Sequence, residues 1–307
     1  MRTTRWHRVL FVAPLALAVA GCTAGGGSGA GTTPPPTTYE PFLTAAQFPR
    51  MDGSTANVPL GRLVLQRTTG LDAQTAEASV QFNTTSVAYE NLANDNADLL
   101  LAYEPDAQTR AETDPDGTAL EFQSIGRDAL VFLTNESNPV RNLTSQQVRD
   151  IYTGKITSWS QVGGLDAPIV AFQRPEKSGS QSLMRKLVMP GLTMTTPPTE
   201  LVAGEMGELV DGVAAYANTG TALGYSVYYF VTNQYAVDGV ALISIDGTAP
   251  NPTTIADGTY PWVNDFYVVI RSAEPPTSPA RQVFDWLGTA AGRQTVTDAG
   301  YVALPLP

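Results

Sequence analysis

Residues 171–189, AFQRPEKSGSQSLMRKLVM, read as a short strand, a turn and a helix. Arg174 stands at the strand end, Ser178, Gly179 and Ser180 form the turn, and the helix continues through Gln181 and Leu183 to Val188. Glycine permits close approach of another group to the backbone. Serine at a helix start accepts from a first-turn N–H while keeping its own hydroxyl proton to donate. That first turn leaves N–H groups without intrahelical partners, and its dipole favours negative charge. An arginine fork beside such a turn makes a site for a small oxyanion. The same residues also describe an ordinary serine-capped helix beside a surface arginine, so the rest of the chain has to decide.

The 307 residues are 43% hydrophobic and 15% charged, the balance of a folded protein with room for one large domain or two modest lobes. A formal net charge of −11 argues against a nucleic-acid partner, whose phosphates need a basic surface. It also makes any anion site a local arrangement of donors working against the overall field. Arg2, Arg5 and Arg8 precede an apolar run at residues 9–20, which has the length of a signal-peptide core and is too short to span a bilayer. Val19-Ala20-Gly21-Cys22 then resembles a bacterial lipobox, in which the cysteine is lipidated. The expectation is a signal peptide at 1–21, lipidation of Cys22, and a lipid-anchored flexible linker at 22–45, Gly/Ser-rich and then Pro/Thr-rich.

Such processing narrows the chemistry. His7 is the sole histidine and Cys22 the sole cysteine, so a chain cut and lipidated at Cys22 has no imidazole and no free thiol. Ser-His-Asp and Cys-His catalysis and Cys/His zinc sites are then excluded by inventory. Lysine occurs only at Lys155, Lys177 and Lys186. There are 29 Asp and Glu, but no Asp/Glu/His cluster has metal-ligand spacing, and neither a metal nor a cofactor is expected.

Along the folded part, Asp52-Gly53-Ser54-Thr55 precedes Val58, Leu60, Leu63, Val64 and Leu65, an apolar helical face capped by Ser54 or Thr55. This is a second Gly-Ser turn opening a helix. A short strand is expected at 80–82, then the loop Asn83-Thr84-Thr85-Ser86 and a helix through Leu92. The continuous apolar run at 97–102 has the character of a buried parallel strand. Further strands are expected at 129–133, 169–172, 223–230 and 265–270, with helices after Thr144, at 210–216 closed by Asn218-Thr219-Gly220, and at 280–287. Alternating strands and helices imply an α/β fold with mainly parallel sheets. Ligands in such folds bind at the carboxyl ends of strands, where both Gly-Ser turns fall.

With these pieces assembled, the chain resembles the phosphate-binding lipoproteins of bacterial Pst-type ABC importers, within the type 2 periplasmic binding protein superfamily. The matching stretches are DGSTANVPL (52–60), NLTSQQVRDIYTGKITSWSQVGG (142–164), AFQRPEKSGSQ (171–181), TALGYSVYY (221–229) and the C-terminal YPWVNDFYVV and AGYVALP. The resemblance runs from about residue 46 to the end. It implies two α/β lobes joined by two crossing hinge strands, with the ligand in the cleft between them. Residues 125–135 look like the first crossing and 266–270 like the return. Lobe 1 would be 46–128 plus 266–307, and lobe 2 would be 129–265.

The resemblance carries over by residue. Arg174, Ser178, Gly179 and Ser180 match the family's anion clamp, Ser54 and Thr55 match a helix N-terminus in lobe 1, and one of Thr84, Thr85 or Ser86 gives a hydroxyl, with Thr85 favoured. The departure lies at 97–105, where relatives carry Asp-Ile-Gly or a strand-end aspartate and this chain has an apolar run ending in Tyr103-Glu104-Pro105. A carboxylate in the cleft accepts a proton from phosphate but meets only lone pairs on sulfate. Glu104 is the candidate for that role, Tyr103 is a rival as a hydroxyl donor, and surface positions for both stay open. The implied function is a non-enzymatic receptor, monomeric and lipid-anchored on the outer face of the cytoplasmic membrane, that captures inorganic phosphate for an ABC permease. The alternative is a sensory or interaction module with the same fold and weakened or different oxyanion specificity. A carboxylate- and metal-dependent phosphate-ester hydrolase is a third possibility that the residues serve poorly.

Overall fold

The computed structural model describes residues 39–198, 201–204, 206–215 and 220–304. The expected signal peptide, Cys22, most of the linker, and the Asn218 and Thr219 helix stop lie outside the described residues. Nine strands occur among the described residues: β1 (Met51–Gly53), β2 (Leu99–Tyr103), β3 (Leu120–Asn135), β4 (Asn142–Leu143), β5 (Val170–Ala171), β6 (Ala222–Val227), β7 (Val240–Ile245), β8 (Val263–Arg271) and β9 (Val302–Ala303).

β3 organises them. Its first part, Leu120 to Ala129, pairs antiparallel with β8, and its second part, Leu130 to Thr134, pairs antiparallel with β6. The resulting order is β1-β2-β8-β3-β6-β5, with β7 joining β3 to β4 and β9 lying on β3 beside Gly126 and Arg127. One strand therefore belongs to two sheet regions and changes partners between Ala129 and Leu130. At that point the Leu130 N–H donates to the carbonyl of Trp262, immediately before β8 begins. A register shift between Ser124 and Gly126 bends β3 just ahead of the change. Gly126 is required there, because a Cβ on it would lie 2.2 Å from Cζ of Phe266.

The sheet is mixed, which corrects the expectation of mainly parallel pairing. β1–β2, β4–β7 and β5–β6 are parallel, but every ladder made by β3 is antiparallel, as is β2–β8. Two strands that pass between regions in opposite directions must pair antiparallel, whatever the local α/β alternation on either side.

The apolar run at 97–102 becomes β2, buried along its whole length. Strand alternation divides it. Leu99, Leu101 and Tyr103 join a core with Leu60 and Val64 of the helix Val58–Thr69, while Leu100 and Ala102 pack with Ala88, Tyr89 and Leu92 of the helix Thr85–Ala93. Residues 80–82 do not form the expected strand. Val80 ends the helix Ala73–Ser79 by donating its N–H to Ala76 O, and its side chain packs with Leu65 and Ala76. The helix Ser145–Tyr152 begins as expected, with Thr144 and Gln147 bonded reciprocally at its start. The stretch expected as one strand at 223–230 ends at Val227 and turns into a wide coil, with Tyr235 N bonded to Phe230 O five residues back.

Because Leu100 is fully buried between β8 and the helix Thr85–Ala93, Leu100→Ala is expected to cost about 2–5 kcal/mol of unfolding free energy. Urea denaturation followed by circular dichroism measures this, and a loss below about 1 kcal/mol would show that β2 is not part of the core.

Candidate functional site

After β5 the chain reaches Arg174, buried at 5% exposure. Its backbone N–H donates to the Tyr225 hydroxyl at 3.1 Å, and that hydroxyl donates to Oε1 of Gln181. A single β6 side chain thus ties the arginine's backbone to the helix that follows. Ser178 caps that helix in an extended conformation, and its Oγ accepts from the Gln181 N–H at 3.2 Å. The helix is regular only over Gly179–Leu183 and then widens, with Met189 N bonded to Met184 O. Ser180 Oγ is buried and has no hydrogen-bond partner among the described residues. A buried hydroxyl in that condition carries a desolvation cost of about 1–3 kcal/mol until something bonds to it.

The opposite wall comes from the carboxyl ends of β1 and β2. Ser54 follows β1; its N–H donates to Leu101 O at 3.0 Å, and its Oγ accepts from the Tyr103 N–H at 3.2 Å. Ser54 Oγ and Thr85 Oγ1 are 2.8 Å apart and share one proton. Whichever hydroxyl donates, the other's proton is left for a third group, so the pair presents one O–H. The buried Asp52 fixes the Thr84–Thr85 corner: Oδ1 accepts from the Gly53 and Asn83 N–H groups, and Oδ2 from the side-chain amides of Asn83 and Asn91.

Between the walls lies a small cavity of about 20 Å³, lined by Ser54, Thr55, Ala56, Thr84, Thr85, Tyr103, Arg174, Ser178, Gly179, Ser180, Met206 and Val227. A volume of this order holds one compact ion or a water or two, not an organic solute. Gly179 closes it: a Cβ there would sit 2.4 Å from Thr85 Oγ1 and 3.7 Å from the Tyr103 ring. The two walls meet at a residue with no side chain.

Seven of the eight expected ligand residues therefore line one cavity. The eighth does not. Glu104 follows β2 by one residue, is not among the residues lining this cavity, and its carboxylate pairs with Lys186. Glu104 lies instead in a neighbouring pocket with Asp106, Arg110 and Lys186. Of the three hydroxyls left open, Thr84 and Thr85 line the cavity, whereas Ser86 Oγ donates to Asp106 Oδ2.

Asp128 was missed by sequence reading. It is a buried carboxylate on β3, just before the change of partners, and it accepts from the Tyr103 hydroxyl at 2.8 Å and from the N–H groups of Ala129 and Tyr229. The acid set between glycine and an apolar run in Gly126-Arg127-Asp128-Ala129-Leu130 was the available signal. Burial pushes its carboxyl up to about 6, against the pull of those three donors. Among the described residues no group of three or more His, Cys, Asp or Glu could hold a metal ion, and no helix is long and apolar enough to cross a membrane.

Two sheet regions joined by passing strands, with a small donor-lined cavity between their carboxyl ends, are the architecture of a two-lobed binding-protein fold. A family model described as a PBP superfamily domain matches residues 32–289, and the chain belongs to that superfamily. It is 28% identical over 189 residues to the phosphate-binding protein PstS of Bacillus subtilis, covering 61% of this chain and 59% of that one. With PstS of Borreliella burgdorferi it shares 25% identity over 182 residues, or 58% of this chain and 63% of that one. The chain thus spans about three fifths of the length of these curated relatives. Among solved structures, a Clostridium perfringens phosphate ABC transporter substrate-binding protein with bound phosphate superposes with a TM-score of 0.66 at 23% identity, covering 83% of this chain and 98% of that one. An ABC-type phosphate transport receptor from Vibrio cholerae gives 0.62 at 23% identity, with 83% and 99% covered. These likenesses make the fold the two-lobed type 2 binding-protein fold.

Asp128 sets a pH dependence. Its folded-state value near 6 lies above its ordinary 3.8, so the native state holds the proton more tightly between those pH values. Its contribution favours folding below about pH 4 and is lost as pH rises through 6, by about 3 kcal/mol in all. Asp128→Asn stays neutral throughout, so its stability relative to wild type is expected to rise by that order between pH 4 and pH 7. Urea melts of both proteins across that range measure it, and parallel curves would remove Asp128 from the titration.

Proposed function

We propose that this chain captures inorganic phosphate in the cavity between its lobes and delivers it to an ABC permease, performing no chemistry on the ion. The observation that carries the reading is Ser180, a buried hydroxyl without a hydrogen-bond partner among the described residues, which lines, with Arg174, a cavity sized for one small ion. Around it stand the first-turn N–H groups of the helix that opens at Gly179, the Ser178 hydroxyl, and one proton from the Ser54–Thr85 pair. Such neutral donors, with one guanidinium, replace the ion's hydration shell without requiring a basic surface, which suits a chain of net charge −11. What the relatives are named for binding supports phosphate as the tetrahedral ion.

We divide the lobes at 46–128 plus 266–307 and 129–265; the change of β3 partners at Leu130 supports this division. On this division, the near contact of the two walls at Gly179 and Thr85 fits the ligand-holding state of a hinge-closing receptor. Lipidation at Cys22, a tether through residue 38, a place on the outer face of the cytoplasmic membrane and a monomeric state complete the proposal. The lipobox-like Val19-Ala20-Gly21-Cys22 supports the anchor.

Isothermal titration of the soluble chain from Thr23 onward, stripped of bound ion by unfolding and refolding, tests this reading. Phosphate is expected to bind with sub-micromolar affinity, and Arg174→Ala to weaken it by about 100-fold or more. Silence toward phosphate in the wild type would overturn the function, and near-normal affinity in Arg174→Ala would overturn the site. A second variant isolates closure. In Gly179→Ala the added methyl meets Thr85 Oγ1, so affinity is expected to fall at least tenfold with unfolding stability nearly unchanged. Unaltered affinity there would mean that the walls do not need to meet.

A further inference from the structure

Lysine is the scarcest charge in this sequence, and two of its three occurrences do the same thing. Lys177 Nζ lies 2.8 Å from Glu90 Oε1, and Lys186 Nζ pairs with Glu104 Oε2. Each lysine sits on one wall of the cavity and each glutamate on the other. Lys177 immediately precedes Ser178, and Lys186 lies on the widened continuation of the helix that opens at Gly179. Glu90 is on the helix that begins with Thr85, and Glu104 is the residue after Tyr103. Lys177 and Glu90 are thus carried by segments that also line the cavity, and Glu104 and Lys186 by the immediate continuations of such segments.

We propose that Glu90–Lys177 and Glu104–Lys186 are a paired charge latch across the mouth of the cleft, positioning residues that hold the closed state and slow release of the bound anion. The inference rests on the proposed phosphate-capture reading. Of the other charges nearby, Arg185 pairs with Glu176 on its own wall and Arg110 with Asp114 on the other, while Asp106 and Glu112 also attract Lys177 and Asp265 attracts Lys186. Opening the cleft separates both lysines from their partners, while the fold of either wall loses nothing. The latch therefore acts on dissociation. Both pairs are partly exposed, with side-chain exposures of 64% and 34% for Lys177 and Glu90 and 49% and 37% for Lys186 and Glu104. Exposed pairs of this kind contribute up to about fivefold each in an equilibrium constant, and salt screens them. Glu104 thereby has a function other than the one its sequence position suggests.

Phosphate dissociation, followed by stopped flow on the chain from Thr23 onward, tests the latch. Lys186→Glu and Glu104→Lys are each expected to speed dissociation about fivefold or more, and the double exchange to restore it to within twofold. Raising salt from about 0.05 to 0.5 M should speed wild-type release, with Lys177→Gln/Lys186→Gln insensitive. Unchanged rates in the single variants, or a double exchange no better than the singles, would overturn the latch. Failure of the phosphate reading is seen separately, as an absence of phosphate heat in the wild type. In that event small-angle scattering still reads the latch: the single reversals should enlarge the radius of gyration and the exchange should return it, and equal radii would overturn it.

Discussion

An oxyanion leaves water only where its hydration shell is replaced, and a chain of net charge −11 cannot replace it with a general positive field. The donors have to be few, close and already aimed. Much of this structure follows from that constraint. The donors come from two helix starts and from hydroxyls on opposite walls, so neither wall alone lines the cavity, and the phosphate site proposed above needs both. β3 and β8 are the strands along which one sheet region passes into the other. The bulge after Ser124 and the bare backbone of Gly126 under the Phe266 ring let β3 bend just ahead of its change of partners.

Buried polar groups hold these pieces in register. Asp52 gathers four donors at the base of one wall, and Tyr225 bonds both the Arg174 N–H and Gln181 at the base of the other. Asp128 stands where the walls join, bound to the Tyr103 hydroxyl on one side and the Tyr229 N–H on the other. Each is acceptable in a core because its lone pairs are met, and each would be costly if one partner were lost.

The parts of the site legible in the sequence were those whose chemistry is local. Gly-Ser turns announce helix starts through backbone rules, so Ser54, Thr55, Ser178, Gly179 and Ser180 could be named before any contact was known. What depends on direction or distance was not legible. Glu104 adjoins a strand end, but which face a side chain takes there depends on where the strand's alternation stops, and Tyr103 takes the inward place. Thr85 was separable from Ser86 only once Asp106 was seen to engage Ser86. Antiparallel pairing of the passing strands leaves no trace in helix–strand alternation, because it joins residues more than a hundred positions apart, such as Leu120 and Arg271. Residues 80–82 carry a strand's composition in a segment too short for a ladder, so packing against Leu65 and Ala76 decides its shape.

The Tyr225 bridge bears on timing. Because one hydroxyl holds both the backbone of Arg174 and the side chain of Gln181, the turn between them is constrained by its own wall, independently of the other wall and of any ion. Its conformational entropy is surrendered once, when the chain folds, and not again at each encounter with a ligand. On the proposed phosphate reading, half of the grip is therefore formed before any ion arrives, and only the meeting of the two walls is left to the encounter.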